Sequence, residues 1–271
     1  MPFGLGNVNT QRRRINLSEV QAMLHQSRYT SDILYHFVGR NHPTDHDQNY
    51  HDLRTILSEG CVSYWPHTDP EGWGKTGYVI NWEKSLFSQD LIVPTVTCYA
   101  EIPFDDLGIH TKKYGQFGIG FEKRAVIYYG ARPVMYVPFT PEDRFQPSPY
   151  GMHLIEDLEQ TFKSFAQAKD QICEGKSIPK VRTLKTPAGS PEEAISRMCS
   201  MFGKDFLAFV KVFDCTLADD DPTNYYMERE WRKYQYLKFK PDQVSEVIVA
   251  HGFGERVIKE FPVYAKKVIE Y

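Results

Sequence analysis

The chain has 271 residues, of which 41% are hydrophobic and 14% aromatic, enough for one large or two small domains with a buried core. A net charge of -3 excludes a generally basic surface built to hold nucleic acid by its phosphates, though not a local basic patch. Five cysteines, Cys61, Cys98, Cys173, Cys199 and Cys215, are odd in number and lack CxxC or His-x-His company, which points away from a disulfide framework or a zinc site and toward a reducing, cytoplasmic setting.

The opening stretch "MPFGLGNVNTQRRRINL" has no apolar signal core, and no later run approaches the roughly 18 apolar residues of a membrane span. A soluble protein with no membrane partner is expected. Residues 1–30 read as an arm with some helical character at Leu17, Val20 and Leu24. Its "QRRR" is either a solvated cluster or a phosphate contact.

From residue 31 to 271 the pattern is that of one domain. "DILYHFV" reads as a first strand, with Ile33, Tyr35 and Phe37 on one side and Leu34, His36 and Val38 on the other. The polar loop "GRNHPTDHDQN" follows, in which His42, Asp45, His46 and Asp47 could gather a metal or simply be solvated. "YHDLRTILSEGC" is a helix with the stripe Leu53, Ile56, Leu57 and a stop at Gly60.

Residues 61–94 carry Trp65, Trp73 and Trp82 among turn formers and read as short strands. "VPTVTCYAEIPF" reads as a central strand, "DDLGIHTKKYG" as a short helix or loop, and "FGIGFEK" as a strand whose glycines mark close backbone approach. Residues 122–129 look helical, and "PVMYVPF" is a further strand. A helical insertion covers about 150–205, made of the amphipathic "YGMHLIEDLEQTFKSFAQAKDQI", the loop "GKSIPKVRTLKTPAGSP" and a helix begun by Ser190-Pro191. "FLAFVKVFD" fits strand or helix, and "VSEVIVAHGFGERVIKEF" is a strand, a glycine turn and a helix. The fold class is therefore α+β, a single domain on a mixed or antiparallel sheet with flanking helices.

The chemistry-bearing stretch is "YYMEREWRKYQYLKF". Read as a strand, it projects Glu228 and Glu230 on one face, and two such acids either repel into raised pKa values or are matched by donors. An acidic pair suits gripping a sugar hydroxyl while positive charge develops at an anomeric carbon. The same spacing also describes a strand end with solvated acids paired to Arg232 or Lys233. No GxSxG, GxxxxGK[ST] or HExxH is present, so hydrolase, P-loop and zincin readings lack a motif.

The order "LYHFVGR", "ILSEG", "TCYAE…HTKKYG…FGIGF" and "EREWR" resembles the ADP-ribosyltransferase layout. "CYAEIPFDDLGIHTKKYGQFGIGFEK" with "EREWR" and "VSEVIVAHG" is similar to the AbiGi-type abortive phage infection family of bacterial defence proteins. The first resemblance implies a split-sheet transferase fold and NAD as substrate, with no metal. His36 would bond the adenosine-side ribose, Tyr99 would line the nicotinamide pocket and Tyr114 would stack on the nicotinamide ring. Glu230 would hold the 2′-hydroxyl of the nicotinamide ribose and stabilise the oxocarbenium-like transition state, and Glu228 would orient the nucleophile of a protein, RNA or DNA acceptor. Phe37 stands where the poly(ADP-ribose) polymerase branch has a glycine. His36, Tyr99 and Tyr114 each also have a plain packing role open to them. The expected function is an NAD-cleaving ADP-ribosyltransferase toxin of abortive infection. The alternative is a non-catalytic antitoxin or phage-sensing module bound to a cognate toxin or other protein.

Overall fold

The computed structural model describes residues 30–63, 77–140, 150–172, 190–219, 221 and 223–271. The arm at 1–29, Trp65 and Trp73, Cys173 and nearly all of the loop before Ser190 lie outside the described residues. In chain order the strands are β1 (Ile33–Phe37), β2 (Cys61–Val62), β3 (Tyr78–Ile80), β4 (Ile92–Pro94), β5 (Val96–Ala100), β6 (Gly118–Glu122), β7 (Arg132–Pro133), β8 (Met135–Phe139), β9 (Val210–Asp214), β10 (Glu230–Tyr234), β11 (Leu237–Lys238), β12 (Val244–Val249) and β13 (Val268–Glu270). The helices are α1 (His46–Glu59), α2 (Leu107–Tyr114), α3 (Lys123–Tyr128), α4 (Tyr150–Ile172), α5 (Pro191–Ser200) and α6 (Gly254–Glu260).

Seven strands form one continuous sheet in the order β13-β12-β6-β1-β5-β10-β7, joined by three two-stranded ribbons, β2-β11, β3-β4 and β8-β9. The ladders of the large sheet are antiparallel except β12 with β13, and β8-β9 is also parallel. The fold is thus α+β on a mixed sheet. The strands carrying His36 and Glu230, β1 and β10, flank β5 within that sheet rather than standing in two halves of a split one.

Side-chain alternation gives the sheet two faces. Leu34, Tyr99, Ile119, Phe121, Val247 and Val249 look toward α1, where Tyr50, Leu53 and Leu57 complete the main core. Helix α1 forms there because Asp45 caps it, its carboxylate accepting from the Gln48 N–H at 3.0 Å, and Gly60 ends it in a left-handed turn at φ 60. On the other face Tyr35, Ala100 and Ile248 form a smaller core with Leu107 of α2. Gly120 is required beneath the Tyr35 ring, since a Cβ there would lie 2.8 Å from Cγ2 of Ile33 and 3.0 Å from the ring.

A third apolar cluster, containing Ile92, Val137, Ile155, Phe162, Phe209 and Val212, joins β3-β4, β8-β9 and α4 and reaches the large sheet at Tyr234. Through it the β8-β9 ribbon is held against the second face, opposite β10.

Candidate functional site

The acids of the quoted stretch do not share a strand. Tyr226–Glu228 is one turn of 3-10 helix, Arg229 turns left-handed at φ 42 and ψ 56, and only Glu230 opens β10. The left-handed residue folds the turn back, so the two carboxylates converge by turn geometry where strand alternation was expected to align them. Tyr136 of β8 fixes the junction, its hydroxyl accepting from the Glu230 N–H at 2.7 Å. Tyr136 is aligned with Lys211 in the parallel β8-β9 ladder, so both reach over β10 from one ribbon face.

Lys211 bridges the acids, its Nζ 2.6 Å from Glu230 Oε2 and 3.1 Å from Glu228 Oε2. Glu228 Oε1 also accepts from Lys113 Nζ at 2.6 Å and from the Tyr114 hydroxyl at 2.5 Å. Glu230 Oε1 accepts from Arg232 Nε at 2.7 Å, and Arg232 donates its Nη1 to the Ala208 carbonyl at 2.6 Å. The Tyr225 ring lies under both ammonium groups, 3.7 Å from Lys113 Nζ and 4.4 Å from Lys211 Nζ.

Every carboxylate oxygen of the pair therefore has a donor, and both residues are buried, at 7% and 6% exposure. Burial alone would raise the two carboxyl pKa values. The Lys211 ammonium beside Glu228, and Arg232 with Lys211 beside Glu230, overcome that and hold both below the ordinary range. Lys211 is moved the other way: burial opposes its charge, and the two carboxylates more than restore it. The acids are solvated in neither sense, and Arg232 is the partner that spacing suggested. Both carboxylates are thus held as ionised acceptors, each engaged by three donor contacts.

The cluster collects three of the five expected site residues, Tyr114, Glu228 and Glu230. His36 and Tyr99 stand elsewhere. Register aligns Tyr35 with Ala100 and Ala100 with Glu230, so these three share a face, and His36 beside Tyr35 projects from the opposite one. There the His36 ring lies 5.8 Å from the Tyr99 ring, and its Nδ1–H donates to the Cys98 carbonyl at 2.9 Å. Burial lowers the His36 pKa against that hydrogen bond. Tyr99 is core, its hydroxyl 3.2 Å from Thr97 Oγ1.

Lys113, Lys211, Tyr136 and Tyr225 are cluster members that the sequence reading passed over. The usable signal was Lys211 itself, a single cation inside the apolar run "FVKVFD", tolerable only if paired. His110 stands beside them, 4.5 Å from the Tyr114 ring and 5.0 Å from that of Phe37, its pKa pushed down by burial to about 4. In the polar loop, Asp45 is spent on the α1 cap and His42 Nε2 lies 3.1 Å from Asp52 Oδ2. Among the described residues no group of three or more His, Cys, Asp or Glu side chains is placed to hold a metal, and no helix is long and apolar enough to cross a membrane.

The fold and site define an α+β protein whose large sheet is locked to a parallel ribbon by a five-ion cluster, two buried acids with the buried Lys211 and the partly buried Lys113 and Arg232. Residues 80–267 match the family described as "Putative abortive phage resistance protein AbiGi, antitoxin", and the chain belongs to that family. The matched segment contains all five ions of the cluster and leaves out His36. No curated protein and no solved structure matches the chain.

Proposed function

We propose that this protein is the antitoxin of an abortive-infection pair, a non-catalytic module that binds a cognate toxin protein and holds it inactive. The observation that carries this reading is the pairing of Glu228 and Glu230 with Lys113, Lys211, Arg232 and Tyr114, which gives the two glutamates a structural task. The family description supplies the defence context and the antitoxin role. Expression of the neighbouring toxin gene should arrest growth, and co-expression of this chain should relieve the arrest and yield a purified complex. Absence of both relief and complex would overturn the reading.

A second reading keeps the ADP-ribosyltransferase activity, with NAD as substrate and a macromolecular acceptor. Its support is the meeting of Tyr114, Glu228 and Glu230 at one place. It uses Glu230 as an ionised carboxylate, the state that Arg232 and Lys211 favour. Nicotinamide release by the purified protein, lost in a folded Glu230→Gln variant, would establish it. A flat thermal response to NAD favours the antitoxin.

A further inference from the structure

A cavity of about 340 Å³ opens beside α4, away from the ion cluster. Ile155, 1% exposed, forms its floor, with Phe87 and Met152 as walls and Ser85, Glu156 and Glu159 at the mouth. That volume is at the small end of the roughly 300–1,000 Å³ typical of ligand sites, suited to one long side chain rather than a dinucleotide.

The two acids at the mouth differ. Glu159 is fixed, accepting from the Leu86 N–H at 2.7 Å and from Lys163 Nζ at 2.6 Å, so its charge is already answered. Glu156 is 70% exposed, and among the described residues its one ion pair is a 3.7 Å contact with His153, a partner charged only when protonated. The mouth therefore carries an available negative charge above an apolar well. Phe87, one of the lining side chains, is itself 39% exposed.

We propose that this cavity seats an arginine or lysine of the toxin protein, its methylenes against Phe87, Met152 and Ile155 and its cationic head at Glu156. The inference rests on the antitoxin reading above. A long cationic side chain is the chemistry that fits, since its stem covers apolar walls while its head stays at the mouth, and arginine is favoured at interface hot spots. An acidic mouth repels the phosphates of a nucleic acid.

The test uses the full chain and the purified product of the neighbouring toxin gene, with affinity measured by calorimetry. Glu156→Arg reverses the charge of an exposed side chain, and Met152→Trp fills the well without changing charge. Each should weaken binding at least tenfold, whereas Glu255→Arg, the same charge change on exposed α6, should leave it within twofold. Wild-type binding with Glu156→Arg and Met152→Trp both within twofold of it would overturn the cavity and leave the antitoxin reading standing. Equal weakening by Glu255→Arg would overturn the cavity in favour of diffuse electrostatics. No binding by the wild type, together with no relief of growth arrest, would overturn the antitoxin reading and the cavity with it.

Discussion

Lys211 Nζ lies 2.6 Å from Glu230 Oε2, joining the parallel ribbon to the large sheet across two side chains that are each less than a tenth exposed. Removing one partner of such a pair strands the other, at a cost of about 3–5 kcal/mol. Glu230→Gln and Lys211→Met should each lower stability by that order in urea denaturation. Their combination should lose clearly less than the sum, with a coupling of about 1–3 kcal/mol. A Glu230→Gln protein within about 0.5 kcal/mol of wild type would deny the cluster its structural role.

Acid should weaken the protein before its carboxylates titrate. His110 has its pKa lowered by burial from 6.5 to about 4, so as pH falls through that window the unfolded chain takes a proton that the folded one refuses. Stability is fully present above 6.5 and declines below it, by about 2 kcal/mol at pH 5 from His110. His36, also lowered, acts in the same direction. Glu228 and Glu230 add their own loss only as pH drops through 4.5 and below, because their folded values are depressed. Denaturation midpoints from pH 7 to 5 should fall less steeply in His110→Phe, by up to one proton's worth of slope; parallel curves would count against burial of a neutral imidazole.

Gly120→Ala should destabilise by about 1–2 kcal/mol. Overpacking costs about 1–3 kcal/mol, and the gain from a stiffer unfolded chain returns only part of it. The added methyl would sit 2.8 Å from Cγ2 of Ile33 and 3.0 Å from the Tyr35 ring, neither able to retreat from the sheet. A thermal midpoint equal to or above wild type would contradict that packing.

Arg229 holds a left-handed backbone, at φ 42 and ψ 56, that side chains with a Cβ adopt at a cost. Arg229→Gly should raise stability by up to about 1 kcal/mol, and Arg229→Val should lower it by at least about 1 kcal/mol. The reverse order of their melting temperatures would show that the turn is not set by this residue.

Local pattern carried much of the fold. The stripe Leu53, Leu57 with Gly60 fixed the end of α1, although the helix begins at His46, inside the stretch read as a polar loop; the β-branched run around Val96 marked a strand with neighbours on both sides, and Gly118 and Gly120 lie under close contacts as their strand context implied. "FLAFVKVFD" stayed ambiguous because its apolar residues satisfy both periods; the chain divides it, with 3-10 helix through Phe209 and strand from Val210.

The site was less legible. Nothing in an arginine between two glutamates announces a left-handed turn, so Glu228 was read into a strand. Whether His36 meets Glu230 depends on the register of β1 on β5 and of β5 on β10, pairings made between segments far apart in the chain. Single-strand alternation correctly separated His36 from Tyr35 but could not say which side faces the acids.

The order of the sheet also makes its closure a long-range event. β6, β1 and β5 are neighbours drawn from residues 33–122, while the strands that border them on either side, β12 and β10, come from the end of the chain. Without those two strands, β6, β1 and β5 would present two open edges, and Lys211 would lie in an apolar strand with neither glutamate beside it. Pairing of β10 with β5 therefore covers one edge and delivers both glutamates to that lysine in a single step.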